Sequence, residues 1–256
     1  MEKASTYLPQ DRRHAIARGE SLPASGLGAV LFADISGFTP LTNALVQHFG
    51  PRRGADELTR RLNAVYSALI TEVERFGGSV VGFSGDAITC WFAADPNGDL
   101  AGASRRAATA AQAMQQAMTP LRNLPLTPTF TAHLALKIAI AAGVTRRLLV
   151  GDPTIQRMDV LAGVTVDEMA AAEQIAHQNE LVLDATAAAA LAAALDIIEW
   201  RISPNRGRRY AVVGSVTRPA APSASPSPDV ALPEAAVREW VLPAIYARLH
   251  DEESRF

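Results

Sequence analysis

The chain has 256 residues, 48% of them hydrophobic, and a formal net charge of -2. This length suits one domain of roughly 150–200 residues with extensions, whose core needs neither disulfides nor a structural metal. The nearly balanced charge gives no general attraction to nucleic acid or to an anionic membrane. No apolar run resembles a signal peptide or approaches the roughly 18 residues of a membrane span. The single cysteine, Cys90, cannot form an internal disulfide, which favours a reducing, cytoplasmic compartment.

A polar segment and then a buried-strand pattern open the chain. Residues 1–26 contain scattered Pro and Gly and predict an arm or a short helix before the domain. Residues 28–35, GAVLFADI, are a nearly unbroken apolar run with one carboxylate, Asp34, which is typical of a central strand covered on both faces. A carboxylate in that position is costly unless it is paired or bound to a metal ion.

A short helix is predicted immediately after this strand. Thr39 supplies a capping hydroxyl, Pro40 suits the first helical position, and Gly50 ends the helix. The free N–H groups at such a helix terminus favour a phosphate, and Gly37 lets the backbone come close. A carboxylate such as Asp34 beside a phosphate-binding turn suggests a metal ion that bridges to a polyphosphate.

The rest of the chain alternates helical and extended patterns. A longer helix with one apolar stripe starts near Ala55. The segments SVVGFS and AITCWF predict a β-hairpin across Gly85 and Asp86. The later elements are predicted as helix 100–118, strand 134–143, helix 165–178, strand 181–184, helix 185–195, strands 197–202 and 209–214, and helix 234–250. The segment RRLLVG (146–151) is predicted to continue the strand 134–143 or to pair with it. This order suits an α/β fold with a mainly antiparallel sheet and a ferredoxin-like βαββαβ centre.

Asp86 becomes a candidate metal ligand only when it is considered together with Asp34. Gly-Asp at a hairpin tip is ordinary turn chemistry, and Asp34 could be no more than a buried turn or cap residue. Two aspartates on neighbouring central strands are, however, an arrangement that holds two metal ions about 3.5–4 Å apart. The sequence therefore offers both a structural and a metal-binding interpretation of this pair.

Three segments together resemble the class III nucleotidyl cyclases: FADISGFT (32–39), GFSGDA (82–87) and KIAIAAG (137–143). The resemblance is closest to the first of the two catalytic domains of soluble adenylyl cyclase and its bacterial relatives. The segments RRGADELTRRLN (52–63) and LAGVTVDEMAAAE (161–173) fit the same family. It implies a cyclase homology domain over 27–215, after an amino-terminal arm (1–26) and before a Pro/Ala/Ser-rich linker (216–230). Residues 231–256 would form a carboxyl-terminal helix that leads to a second domain outside this chain.

The resemblance also implies a reaction, the conversion of ATP to cyclic AMP and pyrophosphate by two-metal catalysis. Two Mg²⁺ or Mn²⁺ ions would be held by Asp34, Asp86 and the carbonyl of Ile35. The implied phosphate contacts are Ser36, Gly37, Phe38, Thr39 and Lys137. Lys137 also has a simpler interpretation, as a lysine at a strand edge.

In this family each active site forms between two domains in a head-to-tail dimer, and the present sequence matches only one side of it. The other side supplies a base-selecting Lys, a second base contact, and an Asn and an Arg. The positions that correspond to those residues here are Gly82, Val160, Asp167 and Ala171. The resemblance therefore implies that the chain alone is inactive or nearly so, and that its partner is a complementary cyclase domain in cis or in trans.

Several alternatives stay open. First-domain relatives bind bicarbonate through a Lys and an Arg, whose positions here are Gly82 and Ala170, which argues against bicarbonate activation. Because the base-selecting residues come from the other half, ATP and GTP are not distinguished. A catalytically degenerate regulatory or dimerisation domain is the competing function. A diguanylate cyclase or polymerase-palm relative is disfavoured, because the hairpin SGDA lacks paired acids.

Overall fold

The computed structural model describes residues 4–127, 130–204, 206–223 and 231–250. The helices are α1 Gln10–Arg18, α2 Phe38–Phe49, α3 Pro51–Arg75, α4 Leu100–Ala117, α5 Val164–Ile175, α6 Ala185–Leu191, α7 Glu234–Arg238 and α8 Pro243–His250. The strands are β1 Ser25–Ser36, β2 Ser79–Ser84, β3 Ala87–Ala93, β4 Asn123–Thr127, β5 Phe130–His133, β6 Ala135–Asp152, β7 Gln156–Ala162, β8 Leu181–Asp184, β9 Leu195–Ile202 and β10 Arg209–Val216. Within these ranges, no helix has both the length and the apolar character needed to cross a membrane.

One large sheet has the strand order β2-β3-β1-β6-β8-β10-β9, and β7 pairs with the far end of β6. All of its pairings are antiparallel except β6 with β8. Strands β1, β2, β3 and β6, with the helices that connect them, have the ferredoxin-like βαββαβ order. The predicted fold class, an α/β fold with a mainly antiparallel sheet, is therefore confirmed. Strands β4 and β5 form a separate hairpin.

The alternation of side chains along β1 divides the core in two. Leu31, Ala33 and Ile35 point to the face covered by α2, α3, α4 and α6, which holds the main hydrophobic cluster. Val30 points to the opposite face, where α5 contributes Met169 and neighbouring side chains to a smaller cluster. Asp34 shares the parity of Val30, so it lies on the face that α5 covers.

The two ends of the described chain pack against each other. Leu8 forms a small apolar cluster with Val237, Trp240 and Val241. The predicted helix over 234–250 is in fact two helices, because Pro243 lacks an N–H and starts a new helix instead of continuing the first. The predicted linker 216–230 is described only to residue 223, and residues 251–256 lie outside the described part of the chain.

Other boundaries differ from the sequence-based expectations for local reasons. The long helix begins at Pro51 rather than near Ala55, since proline is suited to the first helical turn. Strand β6 continues through RRLLVG to Asp152, as the sequence predicts, and its second half pairs with β7. Strands β4, β5 and β7 were not predicted. Their residues lack the strong apolar alternation on which a strand prediction depends.

Candidate active site

Asp34 lies near the end of β1 in the centre of the sheet. Its cross-strand neighbours are Ala87 on β3 and Lys137 on β6. Asp86 immediately precedes Ala87, and its carbonyl accepts a hydrogen bond of 3.2 Å from the amide of Ile35. The fold thus brings together the backbones of the two aspartates that the sequence singled out.

The buried and charged surroundings of Asp34 favour the binding of a cation. Burial raises the pKa of Asp34 above its usual range. The positive charge of Lys137 opposes that shift, whereas the negative charges of Asp86 and Glu173 reinforce it. The protein alone therefore leaves the ionised form of Asp34 incompletely stabilised, which is the condition that a bound cation would relieve.

Lys137 contacts carboxylates rather than open solvent. Its Nζ lies 3.6 Å from Oδ2 of Asp34 and donates a hydrogen bond to Oε1 of Glu173 on α5. Burial by itself would lower the pKa of Lys137, but these two partners outweigh it and raise the pKa. Lys137 is therefore a permanent ammonium beside Asp34, and it can reach a phosphate only by exchanging these partners.

Glu173 is a residue of the site that the sequence analysis missed. It contacts Lys137, as Asp34 does, because α5 packs on the sheet. A contact between residues so far apart in the chain leaves no local sequence pattern. The only available signal was its position at the end of the segment 161–173, which resembles the cyclase family.

A tight turn presents Asp86. Ser84 and Ala87 pair across it, and Gly85 has φ of 66°, in the left-handed region that favours glycine. The hydroxyl of Tyr66 on α3 donates a hydrogen bond of 2.9 Å to the carbonyl of Gly85. Burial and the charge of Asp86 raise the pKa of Tyr66, so the hydroxyl keeps its proton. Helix α3 therefore braces the turn that carries Asp86.

Helix α2 begins at Phe38 with Gly37 as its N-cap residue, so the predicted cap at Thr39 and start at Pro40 were wrong. Glycine has no side chain with which to cap the first turn. Pro40 has no N–H, and the amides of Gly37, Phe38 and Thr39 are the backbone donors at this end of the helix. Ser36, the last residue of β1, completes the connection. These donors lie directly after the strand of Asp34.

Gly37 has a packing role that the sequence did not indicate. Its φ is 103°, and a β-carbon added there would lie 2.1 Å from the carbonyl oxygen of His133 on β5. The chain can thus turn from β1 into α2 against β5 only with glycine at this position. This sharp turn also explains why α2 begins earlier than predicted.

The donor set fits a hard divalent cation shared with a ligand. In the described parts of the chain, no cluster of three or more His, Cys, Asp or Glu side chains is suited to a metal ion. Magnesium, however, is usually held by one or two carboxylates plus water and substrate phosphates rather than by a complete protein cage. Asp34, Asp86 and the carbonyl of Ile35 supply only oxygen atoms, which suit Mg²⁺ and Mn²⁺.

The positions of the complementary half lack the side chains expected there. Gly82 lies on the edge strand β2, and a β-carbon there would meet no atom within 4 Å. Val160 on β7 is exposed, and so are Asp167 and Ala170 on α5. Ala171 is buried with 4% of its surface exposed, so it contributes packing and no charge.

Asp159 and Val160 are neighbours on β7 and point to opposite faces of the strand. Only 6% of Asp159 is exposed, against 40% of Val160. The Asp159 carboxylate accepts hydrogen bonds from Arg12 on α1 at 2.6 Å and from Arg147 on β6 at 2.7 Å. Asp159 therefore belongs to an internal ion-pair cluster with Arg12 and Arg147.

A groove of about 1190 Å³ opens beside these positions. Its lining includes Phe32, Gly82, Val160 and Met169. Phe32 has the same parity along β1 as Asp34, so the groove lies on the sheet face of the candidate site. The described residues thus leave part of this face uncovered, with apolar side chains along it.

Comparison with known proteins identifies relatives of part of the chain. No family model matches the sequence. The adenylate cyclase type 10 proteins of Homo sapiens and Mus musculus are 28% and 27% identical to it over 158 residues. That alignment covers 61% of this chain and 9% of each relative, so the chain spans about a tenth of the length of the curated relatives that it matches.

Solved structures match over a larger share of the chain. The adenylyl cyclase CyaB from P. aeruginosa aligns with a TM-score of 0.62 and 22% identity over 75% of this chain and 95% of its own. The guanylate cyclase domain of RhGC from Catenaria anguillulae, solved in complex with GTP, aligns with a TM-score of 0.60 and 16% identity, covering 76% of this chain and 100% of that one. A dimeric guanylyl cyclase domain of the RhoGC fusion protein from Blastocladiella emersonii aligns with a TM-score of 0.60 and 15% identity over 76% and 99%. The chain therefore has the fold of a class III nucleotidyl cyclase catalytic domain and resembles that family in sequence.

Proposed function

We propose that this chain is the metal- and phosphate-binding half of an adenylyl cyclase, which forms cyclic AMP and pyrophosphate from ATP together with a complementary cyclase domain. The observation that carries the proposal is the juxtaposition of Asp34, Asp86 and the start of α2. Carboxylates and uncapped backbone amides occur side by side where β1 ends. Backbone amides at a helix terminus bind an anion, and carboxylates bind a cation. A metal–polyphosphate complex satisfies both groups at once.

Each residue of the proposed site has a distinct role. Asp34 and Asp86, with the carbonyl of Ile35, hold two Mg²⁺ or Mn²⁺ ions. Bound there, the ions supply the Lewis acidity that ionises the attacking ribose hydroxyl and neutralises the departing pyrophosphate. The amides of residues 37–39 orient the terminal phosphates through the positive end of the α2 dipole.

Lys137 has a conditional role in this proposal. In the structure its ammonium group contacts Asp34 and Glu173. A cation bound at Asp34 would repel it, and a nearby phosphate would attract it. We therefore assign Lys137 to the phosphates, and Glu173 to holding the ammonium group while the nucleotide is absent.

The same geometry supports a requirement for a second domain. Gly82 and Ala171 offer no cation to select a base or to stabilise the charge of the transition state. Loss of a cationic stabiliser of this kind costs about 10³–10⁵ in rate in related phosphoryl transfers. The partly uncovered groove on the face of Asp34 is the surface on which the complementary domain would pack.

The test separates binding from turnover. Binding of Mn²⁺–ATP to the chain alone is measured by electron paramagnetic resonance of the free metal. Cyclic AMP is then measured with and without a cyclase domain that carries the Lys, Asn and Arg. We expect binding by the single chain, turnover only with the added domain, and loss of both on the Asp34→Asn change.

A matched control is Asp152→Asn, since Asp152 is an exposed aspartate of the β6–β7 hairpin. This variant should behave as the unmodified chain in both assays. Nucleotide binding that survives Asp34→Asn and Asp86→Asn unchanged, together with no turnover in a folded complex, would favour a degenerate regulatory domain instead. Strong cyclic AMP production by the single chain would contradict the half-site assignment.

A further inference from the structure

A second pocket, of about 360 Å³, lies at the other end of β1 from the candidate active site. Its lining includes Gly26 and Leu27, near the start of the strand. Eight residues separate Gly26 from Asp34, which corresponds to about 26 Å along an extended strand. The volume lies in the range of small-molecule sites, roughly 300–1,000 Å³. The pocket therefore lies at a distance from Asp34, although Leu161 lines both the pocket and the groove on which the partner domain would pack.

Most of its wall is apolar. Trp91 of β3 is buried with 7% of its surface exposed and contributes its indole ring. Half-buried side chains complete the wall, among them Leu22, Leu27, Ala94 and Leu161. A wall of this composition favours a ligand that is itself mainly apolar.

Two polar side chains, Thr145 and Arg147, interrupt this wall. Each has one polar atom without a hydrogen-bond partner among the described residues. Thr145 Oγ1 and Arg147 Nε are buried and make no hydrogen bond with any described residue. Thr145 is 2% exposed and Arg147 is 8% exposed, and both line the pocket. A buried donor without a partner costs about 1–3 kcal/mol, so each group favours a ligand or water that supplies one.

The chemistry of the two groups defines what they can bind. The Nε–H of Arg147 can only donate a hydrogen bond, and a threonine hydroxyl can donate as well. Their partner must therefore be an acceptor, such as a carbonyl oxygen.

The local charges exclude an ionised acceptor. Arg147 and Arg12 are balanced by Asp11 and Asp159, with which they form ion pairs. The carboxylate of Asp95 also lines the pocket and is paired with Arg106 at 3.4 Å, so an anion would enter a site whose positive charges are already neutralised.

We propose that this pocket binds a neutral, mainly apolar small molecule through a ketone, ester or amide oxygen, with Thr145 and Arg147 as the donors. Such a ligand would sit between β1, β3 and the ion-pair cluster that holds α1. None of its residues belongs to the proposed metal or phosphate site, and only Leu161 also lines the groove assigned to the partner domain, so ligand binding is tested on the single chain without any cyclase activity.

The probe for the test is 6-propionyl-2-(dimethylamino)naphthalene, a neutral aromatic ketone whose emission shifts to the blue when it leaves water. The full chain is titrated with the probe, and quenching of tryptophan emission is compared between the unmodified chain and Trp91→Phe, because Trp200 and Trp240 also emit. We expect saturable binding and quenching, with the quenching reduced in Trp91→Phe. The same naphthalene without its ketone serves as a probe that cannot accept these hydrogen bonds.

Three variants distinguish the pocket from non-specific binding. Thr145→Val removes the hydroxyl at nearly constant shape and should weaken the ketone probe about fivefold, the equivalent of one hydrogen bond, whereas Thr145→Ser retains it. Neither change should alter binding of the ketone-free probe. Gly26→Val should abolish binding of both, because Gly26 is the cross-strand neighbour of Thr145 and a β-carbon there reaches only ordinary contact with Trp91, at 3.5 Å.

If Gly26→Val does not fold by circular dichroism, Leu161→Phe fills the pocket from β7 instead. The proposal is overturned if the unmodified chain shows no saturable binding, because the pocket then holds water only. It is also overturned if the filled variant binds the probe as tightly as the unmodified chain. If Thr145→Val and the unmodified chain bind the ketone probe with equal affinity, the assignment of Thr145 as a hydrogen-bond donor to the ligand is wrong.

Discussion

Replacement of Asp159 by asparagine should destabilise the protein strongly, although Asp159 has no role in the proposed metal or phosphate site. Its carboxylate is buried between two arginines, with hydrogen bonds of 3.1 and 2.6 Å from Arg12 and 2.7 Å from Arg147. The change keeps the shape of the side chain and removes its charge. Arg147 then retains only Asp11, and Arg12 loses its carboxylate partner.

The magnitude follows from the burial of the cluster. Removing one partner of a buried ion pair costs about 3–5 kcal/mol, because an uncompensated charge stays behind. Asp11 still neutralises part of the positive charge, so we expect a loss of about 3 kcal/mol. For a chain of this size each kcal/mol lowers Tm by about 2–4 °C, which corresponds to about 6–12 °C.

The assay is urea unfolding at pH 7, followed by circular dichroism, with Asp196→Asn as the matched control. Asp196 is an exposed aspartate on β9, so its replacement should change the free energy of unfolding by no more than about 0.5 kcal/mol. Hydrogen exchange should also show faster exchange of α1 in Asp159→Asn, because Arg12 anchors that helix to β7.

The pH dependence gives a second check with a defined sign. Despite burial, the hydrogen bonds and charges of Arg12 and Arg147 lower the pKa of Asp159. Its ionisation thus stabilises the fold fully above the unfolded pKa of about 3.9, and this contribution is lost as pH falls through the lower, folded pKa. The stability difference between Asp159→Asn and the unmodified chain should shrink below pH about 4. A difference under about 1 kcal/mol at pH 7 would refute the reasoning and show that water replaces the carboxylate.

Three further predictions concern the candidate active site. Gly37→Ala should lower the free energy of unfolding by about 3 kcal/mol in urea titrations, since the new methyl group meets the carbonyl of His133 at a positive φ; a loss under about 0.5 kcal/mol would contradict the packing role. Asp34→Asn should raise Tm in EDTA at pH 7, because burial raises the pKa of Asp34 and the ionised form is disfavoured above that pKa; this gain should vanish below the unfolded pKa of about 3.9, and a lower Tm at pH 7 would count against it. Tyr66→Phe should cost about 0.5–1 kcal/mol of unfolding free energy through the lost hydrogen bond to Gly85, and an unchanged value would mean that α3 does not brace the hairpin.

The sequence predicted those parts of the site that depend on patterns of a few consecutive residues. The apolar run that contains Asp34 and the turn at Gly85 and Asp86 each lie within a few consecutive residues. The predicted ferredoxin-like βαββαβ order then places the hairpin beside β1, so their adjacency was accessible without coordinates. The early start of α2 was missed because it depends on contact between Gly37 and His133, which are far apart in the chain.

The sequence by itself determined the fold class, the central strand and the two aspartates, since periodicity and turn chemistry are properties of short segments. Only the tertiary structure decided that Glu173 lies against Lys137 and that Asp159 pairs with Arg12, 147 residues away along the chain. It also decided that Thr145 lines a pocket. The physical reason is that burial and charge pairing arise when distant segments pack together, and no local pattern records which segments will meet.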